Sequence, residues 1–549
     1  MTETSRRAAP TGEPPRADRA GALGTGAFGH PAPAAPAPVS RAPEPQGGGA
    51  PSAAAAPGPD PDVTALQRLA DLCFPPGADG THAPHGTART VPGLDRWREE
   101  TAALHRLVPG PRLERALDDA ESGFRALWTA HAHGFTDHLL KSPPLGTPVR
   151  LPAGRPSRHS YERNIECHAL EDRLTAQDTR LRAHEGAHVV YSSGMAAIAG
   201  VVQGYQGLIR PTADRPLRLT MWGAYYETAV LLDLIGDGCL RWSQAATQEE
   251  LCATVTRGGA DVLLLEPVRY DWELEALDLP ALLRAWTERR GGRPGLVVVD
   301  STLVSPAWPM ERIVEEIGAP GVLLAEVRSG LKLDQRGLEL GNLGVVSLYA
   351  RRDDPSLPPA RDLAAYLRKM RTVTGAGPAL ATLSLLSAPF VLDRASARDH
   401  ARGVFRNNAL AARLLDDQER GLFARIAHPS LSDHRALPWA QAPFVVCHLR
   451  EDRLDHHGVL LGVLRDEARR RGLPLVHGSS FGFRAHRFEC VIPSLREGRG
   501  LFKVAMGSRA GWGRTAVLEL LLEVAAHPDT AALRRAFPGA EPVDLTDLE

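Results

Sequence analysis

Short apolar runs alternate with longer stretches of helical period through the middle of this chain. HVVYSS (188–193), LRLTMW (217–222), DVLLLEPV (261–268), GLVVVD (295–300), APGVLLAEV (319–327) and LGVVSLYA (343–350) are apolar at nearly every position and read as buried strands. Between them GMAAIAGVVQGYQGLI, AYYETAVLLDLIG and LPALLRAWTERRG space their apolar residues as helices do. Apolar strands alternating with helices predict an α/β fold: a mostly parallel sheet covered on both faces. Ligands of such sheets sit beyond the carboxyl ends of the strands. The residues just after the strands are therefore the first place to look for chemistry: Ser193, Gly194 and Met195; Trp222 and Gly223; Glu266 and Pro267; Asp300, Ser301 and Thr302; Ser329 and Lys332.

The flanks follow different patterns. Residues 1–62 are rich in Pro, Ala and Gly and hold almost no large apolar side chains. Such a segment cannot bury enough surface to offset its ordering entropy, and disorder is expected there. Residues 63–150 carry helical periods in DVTALQRLADLCF, WREETAALHRLV and PRLERALDDAESGFRALWTAHAHGFTDHLL, an N-terminal helical extension with no chemical role legible in it. The sheet-bearing region is placed at 151–395, with 352–415 largely helical. From 396 to 549, strands (FVVCHL, RFECVI, LFKVAM) mix with helices (LLGVLRDEARRRG, TAVLELLLEVAAH), which predicts a smaller α+β domain.

Composition narrows the partners. The net charge of −1 over 549 residues gives no reason to expect nucleic acid. No run of 18 apolar residues suggests a membrane span, and MTETSRRAAPTGEPPRADRA lacks the apolar centre of a signal peptide. The six cysteines are scattered with no CxxC pair, so a reducing, cytoplasmic setting is expected and no metal site is. Heavy Ala, Arg, Gly and Pro usage suggests a GC-rich bacterial genome.

Charge type singles out one residue. The chain has four lysines (Lys141, Lys332, Lys369 and Lys503) among 64 basic residues; the rest are arginine. A lysine kept in that background can do what arginine cannot: lose its proton and attack a carbonyl. Lys332 follows a strand, with Ser329 just before it. Gly194 and Met195 open a helix whose positive end suits an anion. Asp300 ends a very apolar strand, where a carboxylate is costly unless it faces a cation. A phosphate, an aldehyde carbon and a protonated ring nitrogen would satisfy all three, and pyridoxal 5′-phosphate carries these groups.

At these residues the chain resembles the cystathionine γ-synthase-like, or Cys/Met-metabolism, family of fold-type I pyridoxal-phosphate enzymes. YSSGMAAI (191–198) is similar to the family's phosphate-holding SGMAA turn. VVVDSTLVSP (297–306) is similar to VVDNTFASP, whose Asp pairs with the pyridine nitrogen. SGLK (329–332) falls where the family has SATK. The resemblance makes Lys332 the Schiff-base lysine. It makes Ser193, Gly194, Met195, Asp300, Thr302 and Ser329 cofactor-binding residues. YERNIECHALEDRL (161–174) resembles a segment that reaches a neighbouring subunit's phosphate, which implies a homodimer or tetramer with shared sites and roles for Tyr161 and Arg163. MWGAYY (221–226) puts Trp222 where the family stacks a tyrosine on the ring. SSFGF (479–483) and LFKVAMG (501–507) look like the segments that frame the substrate carboxylate. Ser480 and Lys503 are thus expected to bind substrate, with Arg509 as a replacement cation.

The resemblance implies an aspartate-aminotransferase-like large domain and an amino-acid substrate. The departures are Leu331 for Thr in SATK, Trp222 for Tyr, Lys503 for Arg, and LDQRGLELGN where the family has GHSD after the lysine. They surround the substrate more than the cofactor. The reading is a transferase or lyase for γ-replacement on an O-acyl homoserine or S-adenosylmethionine type of substrate. It would pass through a Schiff base and a vinylglycine-type intermediate, with an unusual nucleophile in specialised bacterial biosynthesis. The alternatives are an aminotransferase or β/γ-lyase of the same fold, and a degenerate scaffold or regulator.

Overall fold

The computed structural model describes residues 59–75 and 91–545, apart from 179–180, 237, 293, 419–420, 433–436 and 493–498. The Pro/Ala/Gly-rich stretch therefore lies outside the described residues up to 58. Its last residues already belong to structure, because Asp60 caps helix α1 (Pro61–Cys73) by accepting from the Asp62 and Val63 N–H groups.

After α1 come α2 (Leu94–Ala103), α3 (Pro111–His133), the paired two-residue strands β1 (Pro148–Val149) and β2 (Ser157–Arg158), and α4 (His168–Ala176). The main sheet then uses β3 (His184–Tyr191), β4 (Leu217–Trp222), β5 (Leu240–Gln244), β6 (Val262–Leu265), β7 (Leu296–Asp300), β8 (Leu323–Ser329) and β9 (Gly344–Arg351). Their order across the sheet is β3-β9-β8-β7-β6-β4-β5. Only β9 runs against its neighbours. A parallel return needs a crossover long enough for a helix. Residues 330–343 form turns and no helix, so β9 comes straight back and leaves the Lys332 loop at the carboxyl edge. Side chains alternate faces as a strand's period of two requires. In β7, Val297 and Val299 join one core while Leu296 and Val298 join the other.

Helix α5 (Gly194–Ile209) and helix Ala360–Thr374 cover one face; helices Gln248–Arg257, Leu279–Glu288 and Met310–Ile317 cover the other. A second sheet contains β10 (Phe423–Ala427), β11 (Val445–Leu449), β12 (Leu475–His477), β13 (His486–Val491) and β14 (Leu501–Ala505), in the order β10-β11-β14-β13-β12. Helices Arg394–Asp416, Leu454–Arg471 and Trp512–Ala525 supply its core. This is the fold-type I, aspartate-aminotransferase-like architecture with its smaller C-terminal α+β part and an N-terminal helical extension. No helix among the described residues is long and apolar enough to cross a membrane.

The N-terminal helices are tied into the rest of the chain. Trp128 Nε1 of α3 donates to the Leu385 carbonyl at 2.8 Å, and Ser384 Oγ donates to the Ala132 carbonyl at 2.6 Å. Arg509 sits among Asp118 (2.6 Å), Glu121 (3.3 Å) and Glu114 (3.5 Å) of α3. Arg484 also pairs with Glu121, at 2.8 Å. Burial pushes the Glu121 carboxyl up, but the two arginines outweigh it and hold it below the ordinary range. Asp62 accepts from the Ala510 and Gly511 N–H groups and Glu114 from Gly513, so two carboxylates face the positive end of helix Trp512–Ala525.

Candidate active site

A cavity of about 510 Å³ opens beyond the carboxyl ends of β7 and β8, between the main sheet and the second one. Ser193, Gly194, Met195, Asp300, Thr302, Ser329, Lys332, Ser480 and Lys503 all line it. Nine of the residues expected from the sequence are thus in one place, contributed by five separate segments.

Each is held for a physical reason. Ser193 caps α5, its Oγ accepting from Ala196 N–H at 3.1 Å, which leaves the N–H groups of Gly194 and Met195 outside the helix ladder. Gly194 lies against Ser329: a Cβ there would stand 3.2 Å from the Ser329 Cβ. That close approach is what glycine permits. Thr302 Oγ1 donates to Asp300 Oδ1 at 2.5 Å and accepts from Ser329 N–H at 3.0 Å, so one hydroxyl ties the end of β7 to the end of β8. The Thr302 N–H adds a second bond to Asp300, at 3.0 Å. Burial pushes the Asp300 carboxyl up, Thr302 opposes this, and no ion pair among the described residues neutralises it.

Lys332 is largely buried. Burial, then the neighbouring Lys503 charge, lowers its amine from 10.5 to about 8. Its Nζ donates to Ser480 Oγ and stands 5.2 Å from the centre of the Phe481 ring. Ser480 has φ +78°, an uncommon conformation for a residue with a Cβ, and such strain collects at functional sites. Glu266 at the end of β6 accepts from the N–H groups of Ala224, Tyr225 and Tyr270 and lines the cavity. Burial pushes it up to about 7 against those bonds.

Four expected residues lie elsewhere. Trp222 is fully buried in the core on the other side of the sheet. Along β4, Leu217, Leu219 and Met221 face one core and Trp222, one step on, faces the other. Its ring packs under the Arg269 guanidinium, 4.8 Å away. The aromatic residues from this stretch that reach the cavity are Tyr225 and Tyr226, with Tyr225 5.3 Å from Tyr270 ring to ring. Arg509 is also outside the cavity, because the three α3 carboxylates hold it. Tyr161 is 51% exposed, with the Arg163 guanidinium 5.3 Å from its ring; neither lines this chain's cavity.

The sequence reading also missed residues that line it: Tyr225, Tyr270, Phe481 and Glu489. Glu489 had a faint signal, a carboxylate inside the strand RFECVI. A buried charge demands a partner, and here the partner is Lys503, directly opposite across β13 and β14. The Lys503 Nζ also donates to the Tyr270 hydroxyl at 3.0 Å.

The fold places the chain in one class, fold type I, and its strand-end cavity lies where the main and second sheets meet. Among solved structures, the chain is similar to a methionine gamma lyase from Micromonospora echinospora, at 20% identity and a TM-score of 0.50, over 70% of this chain and 93% of that one. It also matches a cystathionine gamma synthase from Xanthomonas oryzae pv. oryzae at 17% identity, TM-score 0.48, over 73% of this chain and 98% of that one. A third match is the yeast cystathionine gamma-lyase at 15%, TM-score 0.48, over 73% and 97%. At such identities the likeness is one of fold, and the first of the three carries it. No protein-family model and no curated protein matches the chain.

Proposed function

We propose that this chain is a pyridoxal-phosphate-dependent enzyme of the Cys/Met-metabolism type, acting at the γ-carbon of an amino-acid substrate. The observation that supports this best is the convergence of Lys332, Asp300 and the amino end of α5 on one cavity. The residues suit the cofactor. The half-buried Asp300 has no ion-pair partner among the described residues, and a protonated ring nitrogen would supply one. The Gly194–Ser329 contact leaves α5's free N–H groups beside a serine, a cradle for phosphate. Lys332 is partly deprotonated near neutral pH and so able to take an aldehyde. Tyr225 lies along the cavity wall where a planar ring can rest on it.

The bound cofactor supplies an electrophilic carbon and an electron-withdrawing ring. The chain's residues do the rest. Asp300 would hold the ring's proton, its carboxylate kept aimed by Thr302. Ser480 accepts from Lys332 Nζ and fixes where that amine can reach. Lys332 would then be the base that takes a proton at Cα and returns it further along the substrate. The printed name of the first of these neighbours, a gamma lyase, supports chemistry at the γ position. The departures around the substrate favour replacement on an O-acyl homoserine or S-adenosylmethionine type of substrate with an unusual nucleophile, as in specialised biosynthesis. The exposed pair Tyr161 and Arg163 suits the completion of a neighbour's site in a cytoplasmic homo-oligomer.

The test is direct. Full-length protein loaded with pyridoxal phosphate is treated with borohydride, digested and mapped by mass. A reduced adduct on Lys332, absent from Lys332→Ala, is expected; an unlabelled Lys332 in wild type refutes the reading. Release of the γ-substituent then distinguishes this chemistry from aminotransfer, which converts the cofactor to its amine form during turnover.

A further inference from the structure

The cavity's charges are unusual for a site that takes a free amino acid. Its lining cations among the described residues are Lys332 and Lys503; no arginine lines it. Its lining carboxylates are Glu227, Glu266, Asp300 and Glu489. Lys332 is committed to the cofactor in the reading above. Arg509, the other candidate for a substrate carboxylate, is held by Glu114, Asp118 and Glu121. That leaves Lys503.

Lys503 is already compensated. It is 1% exposed. Its Nζ pairs with Glu489 Oε1, its register partner on β13, and donates to the Tyr270 hydroxyl at 3.0 Å. The rings of Phe444, Tyr270 and Phe481 stand around it at 4.9, 5.3 and 5.6 Å. Glu489 Oε1 also accepts from the Ser480 N–H at 3.1 Å, so the acid is fixed from two sides. An anion at this wall meets a pair of no net charge, inside an aromatic cage, with Glu489 repelling it. Losing its water there is uncompensated. A neutral carbonyl fits better: it can accept from Lys503 or the Tyr270 hydroxyl, and an attached N–H can donate to the second oxygen of Glu489.

We propose that the substrate presents to this wall a neutral carboxamide or similarly masked carboxyl group in place of a free α-carboxylate, and that Glu489 is the specificity-determining residue that sets this preference. The proposal rests on the reading of the Lys332 cavity as the substrate site. It narrows the O-acyl homoserine or S-adenosylmethionine type of substrate to derivatives whose carboxyl, adjacent to the amine, is uncharged.

The test compares L-methioninamide with L-methionine by titration calorimetry on the full-length, pyridoxal-phosphate-loaded protein at one pH. Wild type is expected to bind the amide at least tenfold more tightly. Glu489→Gln frees the Lys503 charge and is expected to shift the amide-to-acid ratio at least tenfold toward the acid. Should that variant not fold, Glu489→Asp keeps the charge but shortens its reach, and is expected to shift the ratio severalfold the same way. The proposal is overturned if wild type binds methionine as tightly as its amide, or if the ratio is unmoved in the folded variant. A wild type that takes up no cofactor overturns the underlying reading and this proposal with it. Cofactor uptake with the wrong ratio overturns this proposal alone.

Discussion

Arg509→Met tests whether the N-terminal helices are fastened to the rest of the chain by charge. Methionine replaces much of the buried arginine stem, so little packing is lost. What is lost is the cation between three acids. Asp118, whose side chain is 52% exposed, rehydrates at little cost. Glu121 keeps Arg484 at 2.8 Å. Glu114 is 2% exposed and loses the single ion-pair partner it has among the described residues. Removing one partner of a buried pair costs about 3–5 kcal/mol. Burial already raises the Glu114 carboxyl, with Arg509 opposing. The orphaned acid can therefore take up a proton, which places the cost at the low end, about 3 kcal/mol, or roughly 100-fold in a local opening constant. A chain with several cores need not unfold in one step, so the assay is amide hydrogen exchange along α3. Exchange there is expected to accelerate roughly 100-fold at pH 7, and to return to within about tenfold of wild type when Glu114→Gln is added. A folded Arg509→Met protein whose α3 amides exchange within about threefold of wild type would refute the charge clamp.

Three further outcomes are expected. Reductive alkylation of Lys332 in the cofactor-free protein should rise through a midpoint near pH 8, the value burial and Lys503 impose, and not near 10.5. Since the folded group is the weaker base, the unfolded chain binds more protons between those values, and this lysine's contribution to stability grows as pH rises across that window. Tyr225→Leu should change the bound cofactor's visible spectrum with stability altered by about 1 kcal/mol, whereas Trp222→Ala should cost about 3–5 kcal/mol by emptying core volume; denaturation and spectra of both variants check this, and a normal spectrum in the first would remove Tyr225 from the ring's surroundings. Mixing Lys332→Ala with Arg163→Ala protein should restore turnover that neither has alone, since one mixed site would be intact; no recovery after confirmed subunit exchange would remove Arg163 from a neighbour's site.

The strands that carry the site were legible because they are buried on both faces and so read as unbroken apolar runs: GLVVVD and DVLLLEPV became β7 and β6. Strand β5 was missed for the converse reason. LRWSQ is a mostly polar edge strand paired only to β4. The reversal of β9 was also open to inference, since EVRSGLKLDQRGLELGNLG has no helical period from which to build a crossover.

The sequence by itself determined the kinds of group available and their order. A lysine in a chain that mostly uses arginine, an aspartate ending an apolar strand, and a glycine opening a helix are local facts, set by covalent identity and by position relative to a strand's end. Only the tertiary structure decided which charges meet. Arg509 is two residues past Gly507 in either view, yet whether it faces the cavity depends on three carboxylates of α3 nearly 400 residues earlier. Lys503 and Glu489 are paired because β13 and β14 adopt one register, and a one-residue slip would turn each side chain to the opposite face. Trp222 and Tyr225 are three residues apart, and the pleat of β4 followed by the turn after it sends one into the core and the other to the cavity. Electrostatic and face assignments of this kind depend on distance in space, which falls steeply with separation and bears no relation to distance along the chain.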